Sequence, residues 1–66
     1  MMTLKFHNKS TDNWEVLSAD RYSVAVIEDK KWVLASDESF PINSCGGFDV
    51  CYVVNELGNT VDRIFP

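Results

Sequence analysis

Residues Arg21 to Ser36 constrain this chain more than any other stretch. They hold an apolar run (Val24-Ala25-Val26-Ile27), a charged break (Glu28-Asp29-Lys30-Lys31) and a second apolar run (Trp32-Val33-Leu34-Ala35). Each run is too short for a helix of ordinary length and rich in β-branched or aromatic side chains, so the segment predicts a β-hairpin. With Asp29-Lys30 as a two-residue turn, Glu28 faces Lys31, Ile27 faces Trp32, Val26 faces Val33 and Val24 faces Ala35. That register sets opposite charges beside the turn and an aromatic against a β-branched partner, pairs worth a few tenths to about 1 kcal/mol each. Both faces of the hairpin are largely apolar. Such strands lie inside a sandwich or barrel, or present one face to a partner.

The rest of the chain follows the same period. Val, Ile, Phe, Tyr, Trp and Thr supply 22 residues against nine for Ala, Leu and Met, a balance that favours pleated strands. Met2, Leu4 and Phe6 alternate with Thr3, Lys5 and His7, and the polar cluster Asn8 to Asn13 ends that strand. Trp14, Val16 and Ser18 alternate as a strand would, although a polar residue among Ser10 to Asn13 could cap one helical turn instead. Ser36 to Gly47 reads as a long loop, in which Pro41 holds Phe40 extended and Gly46-Gly47 reverses the chain. Phe48 to Phe65 forms a second hairpin around Asn55-Glu56-Leu57-Gly58, with Gly58 suited to a left-handed bulge. Val54 then faces Thr60, Val53 faces Val61, Cys51 faces Arg63 and Val50 faces Ile64. With no repeat or linker, residues 1–66 read as a single domain. The expected class is all-β: a small antiparallel meander of five to six strands, curled into a twisted sheet or SH3-like barrel. An α+β sheet with one short helix at 11–20 is the runner-up.

Size and charge narrow the function. A domain near 66 residues buries only about 60% of the surface its unfolded chain exposes, which leaves little room for a cofactor cleft. The net charge of −4 weighs against nucleic acid, since phosphate binding relies on clustered Lys and Arg and only Lys30 and Lys31 are adjacent. The acids come singly or in pairs (Glu28-Asp29, Asp37-Glu38) rather than in the dense rows of a nucleic-acid mimic, as solubilising charge does. No apolar run spans a bilayer and the first residues lack a secretory pattern, so the expected location is cytoplasmic, with no membrane contact.

No catalytic or metal-binding constellation stands out. Cys45 and Cys51 lack the Cys-x-x-Cys spacing, and His7 is the lone histidine, so neither a metal nor a cofactor is expected. Gly46-Gly47 could fold Cys45 back for a disulfide, but without a secretory pattern the thiols are read as reduced, Cys51 as a small strand residue and Cys45 as an incidental loop thiol. His7 reads as an exposed alternating position, without a nucleophile beside it. Asp49 and Asp62 approach across the second hairpin, as a solvated carboxylate pair or partners for Arg63. Asn8-Lys9-Ser10 matches a glycosylation pattern that carries no weight without a secretory address.

Eight aromatic residues are many for so small a core. Phe40 and Ile42 beside Pro41, preceded by Asp37 and Glu38, read as an apolar loop tip that contacts a partner or plugs one end of the fold. Together with Trp32 they are the expected partner-binding residues. The resulting expectation is a non-enzymatic protein-binding module, an inhibitor or modulator acting by surface occlusion or edge-strand addition. Its surplus apolar surface could also support a homodimer. Size and acidity suit a phage or other mobile-element protein that blocks a host nucleic-acid-processing or defence complex in the host cytoplasm. The alternatives are a nucleic-acid-binding β-barrel that stacks bases on Trp14, Trp32 and Tyr22, and a small-molecule-binding homo-oligomer. In the preferred case Phe40→Ala spares the fold and Trp32→Ala unfolds it.

Overall fold

A computed structural model describes all residues, Met1–Pro66. Alternation dictates its elements: every segment with period-two apolar spacing is a strand. They are β1 (Met2–Asn8), β2 (Asn13–Ala19), β3 (Tyr22–Ile27), β4 (Lys30–Ala35), β5 (Glu38–Ile42), β6 (Val50–Val54) and β7 (Thr60–Ile64). The fold is all-β, with β2 in place of the alternative helix at 11–20. No helix is long and apolar enough to cross a membrane. The strands divide into two antiparallel sheets rather than one meander, β2-β1-β6-β7 and β3-β4-β5.

Seven strands replace the five or six expected because Glu38–Ile42 is not loop. Ser36-Asp37 alone connects β4 to β5, and Ser36 takes a positive φ of 55°, as the first central residue of a tight primed turn does. Pro41 fits because β5 is an edge strand. Phe40 and Ile42 lie opposite Val33 and Lys31, while the intervening Pro41 turns its carbonyl outward to accept the Phe48 N–H at 2.9 Å.

The β3–β4 hairpin differs from expectation in register. Its turn is Glu28-Asp29, both left-handed at φ 54° and 63°, so Ile27 faces Lys30, Ala25 faces Trp32 and Val24 faces Val33. Two left-handed residues give the turn the twist of the flanking strands, which a turn at Asp29-Lys30 would have to match with lysine. The pairing slips by an even step, so each side chain keeps the face that alternation assigned. In the β6–β7 hairpin the turn is as expected: Gly58 is left-handed (φ 85°) and its N–H reaches the Asn55 carbonyl at 3.0 Å. Val54 faces Thr60, but a register shift follows, and Val53 pairs with Asp62 and Cys51 with Ile64. The shift turns Ile64 to the core beside Cys51 and leaves Val61 exposed.

The core lies between the sheets. Leu4 and Phe6 from β1, Ala19 from β2, Cys51 and Val53 from β6 and Ile64 from β7 meet Val33, Ala35 and Ile42 from the other sheet. Phe6, fully buried, stacks on Phe40 across the interior with centroids 4.2 Å apart, and Phe48 tilts against Phe6 at 5.4 Å.

Two local substitutions test this account. A Cβ at Gly47 would lie 2.7 Å from the Asn43 amide nitrogen and 2.9 Å from the Pro41 carbonyl oxygen, where Asn43 already accepts the Cys45 and Gly47 N–H groups. Gly47→Ala is expected to cost about 1–3 kcal/mol in urea unfolding. Replacing Glu28-Asp29 by Asn-Gly removes side-chain strain at two left-handed positions and is expected to raise stability by about 1 kcal/mol.

Candidate functional site

The residues expected to contact a partner separate into core and surface. Ile42 is 1% exposed, and Phe40 packs against Phe6, Phe48 and the core cluster. Their strand alternation turns both toward the interior, so there is no apolar loop tip. Asp37 lies in the exposed turn after β4, and Glu38 opens β5 opposite Ala35. Trp32, by contrast, faces outward. Its neighbours across the strands are Ala25 and Pro41, and it is half-buried.

Trp32 is the centre of the outer face of the three-stranded sheet. Ile27, Glu28, Lys30, Trp32, Leu34 and Ser39 line an open groove of about 320 Å³ there. This face exists because β4 is apolar at every position from Trp32 to Ala35: Val33 and Ala35 fill the core, and Trp32 and Leu34 are left for the other side. No element of the chain lies over it.

The outer face of the four-stranded sheet has a different chemistry. His7 on β1 stacks on Trp14 on β2, its cross-strand partner, with centroids 4.1 Å apart and planes 15° apart. Trp14 in turn lies 6.1 Å from Tyr52 on β6. Tyr52 sits in register between Lys5 and Arg63, and Lys5 also faces Val16. No acidic strand residue shares the face, although ten acidic residues are present in the chain. Asp12, in the neighbouring turn, meets the His7 ring nitrogen at 3.0 Å. His7 is thus a packed, hydrogen-bonded side chain and not the exposed position expected from alternation alone. Trp14 stands out in the sequence as an aromatic candidate and His7 as the lone histidine, but nothing local joins them to Tyr52, Lys5 and Arg63. The available signal was the β1–β2 turn, about which His7 and Trp14 are symmetric.

Other candidates are structural. The Tyr22 hydroxyl donates to Asp62 at 2.8 Å, a bond that holds the phenol above its usual value and ties β3 to β7. Asp49 instead accepts the Lys9 N–H at 2.6 Å, so the two aspartates serve separate partners. Trp14, Trp32 and Tyr22 do not form one platform: two occupy outer faces of different sheets, and the third bonds to Asp62. Both cysteines are free thiols, Cys45 exposed and Cys51 buried. No three His, Cys, Asp or Glu side chains group as a metal site would require.

No family model, curated protein or solved structure matches the chain. The protein is a two-sheet antiparallel β fold with two chemically distinct outer faces.

Placement reverses the expected mutant contrast. Phe40→Ala removes the ring that Phe6 stacks on and is expected to cost about 3 kcal/mol, enough to threaten so small a fold, whereas Trp32→Ala is expected to stay within about 1 kcal/mol. Thermal unfolding of the two variants checks this. Burial pushes the Cys51 thiol from 9.0 up to about 12. The folded state therefore holds that proton more tightly than the unfolded chain. Its contribution is whole below pH 9 and lost as pH rises toward 12, and Cys51→Ala is expected to flatten the stability profile in that window. A thiol reagent is expected to modify Cys45 at once and Cys51 only as the fold opens.

Proposed function

We propose that this protein is a non-enzymatic protein-binding module that acts by surface occlusion through the outer face of its three-stranded sheet. The observation that carries this is the uncovered Trp32 groove. Trp32, Leu34 and Ile27 form its apolar floor, and Glu28 and Lys30 supply opposite charges at its end. A central aromatic anchor with a polar rim is the arrangement in which a few residues dominate binding energy. The partner that fits is a protein that inserts an apolar side chain beside Trp32 and sets complementary charges against Glu28 and Lys30. Size and net charge of −4 extend the proposal to an inhibitor of a host nucleic-acid-processing or defence complex encoded by a phage or mobile element.

The aromatic-basic face favours a second function, the binding of single-stranded nucleic acid. Trp14 offers a half-exposed indole for base stacking, and Lys5 and Arg63 flank Tyr52 as phosphate partners. Two cations against an overall charge of −4 make this the weaker case.

One comparison tests both. A tagged copy purified from its native cell is expected to retain a protein partner that Trp32→Ala loses by about tenfold or more in affinity, with circular dichroism unchanged. Trp14→Ala is expected to retain it. Salt-sensitive binding of an oligonucleotide that Trp14→Ala abolishes, with no loss on Trp32→Ala, would reject the first function in favour of the second.

A further inference from the structure

We propose that two copies of this chain pair through β3, antiparallel about a two-fold axis at Ala25, to give a continuous six-stranded sheet β5-β4-β3-β3-β4-β5. The inference does not rest on what the Trp32 face binds, although Ile27 belongs to both the β3 edge and the rim of that groove.

The free edge of β3 is the starting observation. β3 ends the order β3-β4-β5, and its sequence Tyr22-Ser23-Val24-Ala25-Val26-Ile27 contains no charge and no proline. The other edges carry the usual protections against strand addition. β2 holds Glu15, β5 holds Pro41 and a parallel bridge from Ile42 to Phe48, and β7 holds Asp62, Arg63 and a register shift. On β3, Val24, Val26 and Ile27 are 45%, 67% and 53% exposed.

The hairpin fixes which backbone groups are free. A two-residue turn closes on a hydrogen-bonded pair, here Ile27 and Lys30, and such pairs alternate along an antiparallel ladder. Ile27, Ala25 and Ser23 therefore bond to β4. Tyr22, Val24 and Val26 point their N–H and C=O groups to the open edge.

A symmetric antiparallel pair that keeps each sheet face continuous must centre on one residue, and the two registers that pair most of β3 centre on Val24 and on Ala25. Centred on Val24, Asp20 falls opposite Glu28 of the second copy, a like-charge contact made twice. Centred on Ala25, the acidic turn Glu28-Asp29 of the second copy lies just beyond Tyr22, beside Arg21, an opposite-charge contact made twice. Charge selects Ala25. In that register Val24 of one copy and Val26 of the other form hydrogen-bonded pairs, using the groups left free by β4. Ala25 meets its own copy on the axis, and Ile27 meets Ser23, so all three exposed apolar side chains of β3 acquire a cross-strand neighbour. A domain this small gains stability from such association.

Sedimentation velocity of the full chain and directed crosslinking test the pairing and its register together. The expected result is a concentration-dependent dimer that Val26→Lys renders monomeric with unchanged circular dichroism. Val26 is exposed, and a lysine there blocks an edge without touching the core. Arg21→Asp is expected to weaken dimerisation about tenfold, whereas Arg21→Lys, which keeps the charge, is expected to leave it unchanged. In a Cys45→Ser background, Ala25→Cys is expected to crosslink two chains under mild oxidation far faster than Val24→Cys. A monomer up to millimolar concentration, or a dimer indifferent to Val26→Lys, would overturn the proposal. Preferential crosslinking through Val24→Cys would overturn the Ala25 register.

Discussion

The stack of Phe6 on Phe40 holds the two sheets to each other. It joins the centre of β1 to the centre of β5 at 4.2 Å, and Phe48 closes the cluster from the segment entering β6. Two sheets of four and three strands have few residues to spend on an interior, and only ten hydrophobic side chains are buried. Large aromatic rings fill that space with the fewest ordered side chains, each burying wide area at small entropy cost. The other core residues, from Leu4 to Ile64, are arranged around this contact. The position of β5 follows from it, since Phe40 reaches Phe6 only if Glu38–Ile42 pairs with β4.

Packing of this kind overrides local preference at the turns. Asp12, Glu28, Asp29 and Ser36 all take left-handed φ without being glycine. Such conformations cost side-chain-bearing residues about 1–2 kcal/mol each, less for Asp. At Glu28, Asp29 and Ser36 they are tolerated because the connections are short: two residues join β3 to β4 and β4 to β5, and any looser turn would shift Val33 or Phe40 off the core. Asparagine side chains organise the β5–β6 and β6–β7 connections. Asn55 accepts the N–H groups of Leu57 and Asn59, and Asn43 those of Cys45 and Gly47.

With the interior so small, much of the chain's functional character lies on outer faces and edges. One face is apolar around Trp32, the other aromatic and basic around Trp14, and the β3 edge is apolar and open. The Trp14 face is separate from the other two, whereas the Trp32 groove and the β3 edge share Ile27. Pairing through β3 would leave both Trp32 grooves on one side of a shared sheet, a wider surface for an occluding module than a single copy presents.

Alternation by itself determined the strand class and the face of most side chains, because a period of two reports sidedness directly, and polar and glycine turn residues marked the end of β1 and the turn at Asn55–Gly58. It also marked Trp32 as a residue of interest. What it left undecided was register and depth. The Glu28-Asp29 turn and the shift after Val54 depend on which backbone conformations the packed sheets tolerate, and neighbouring residues do not encode that tolerance. Phe40 and Trp32 exchanged their expected places for the same reason. Each sits in an apolar stretch, and only the position of the second sheet decides that Phe40 meets Phe6 while Trp32 meets nothing. Which side of a two-sided apolar strand becomes interior is a property of the assembled pair of sheets, since burial requires an opposing surface that the strand alone does not carry.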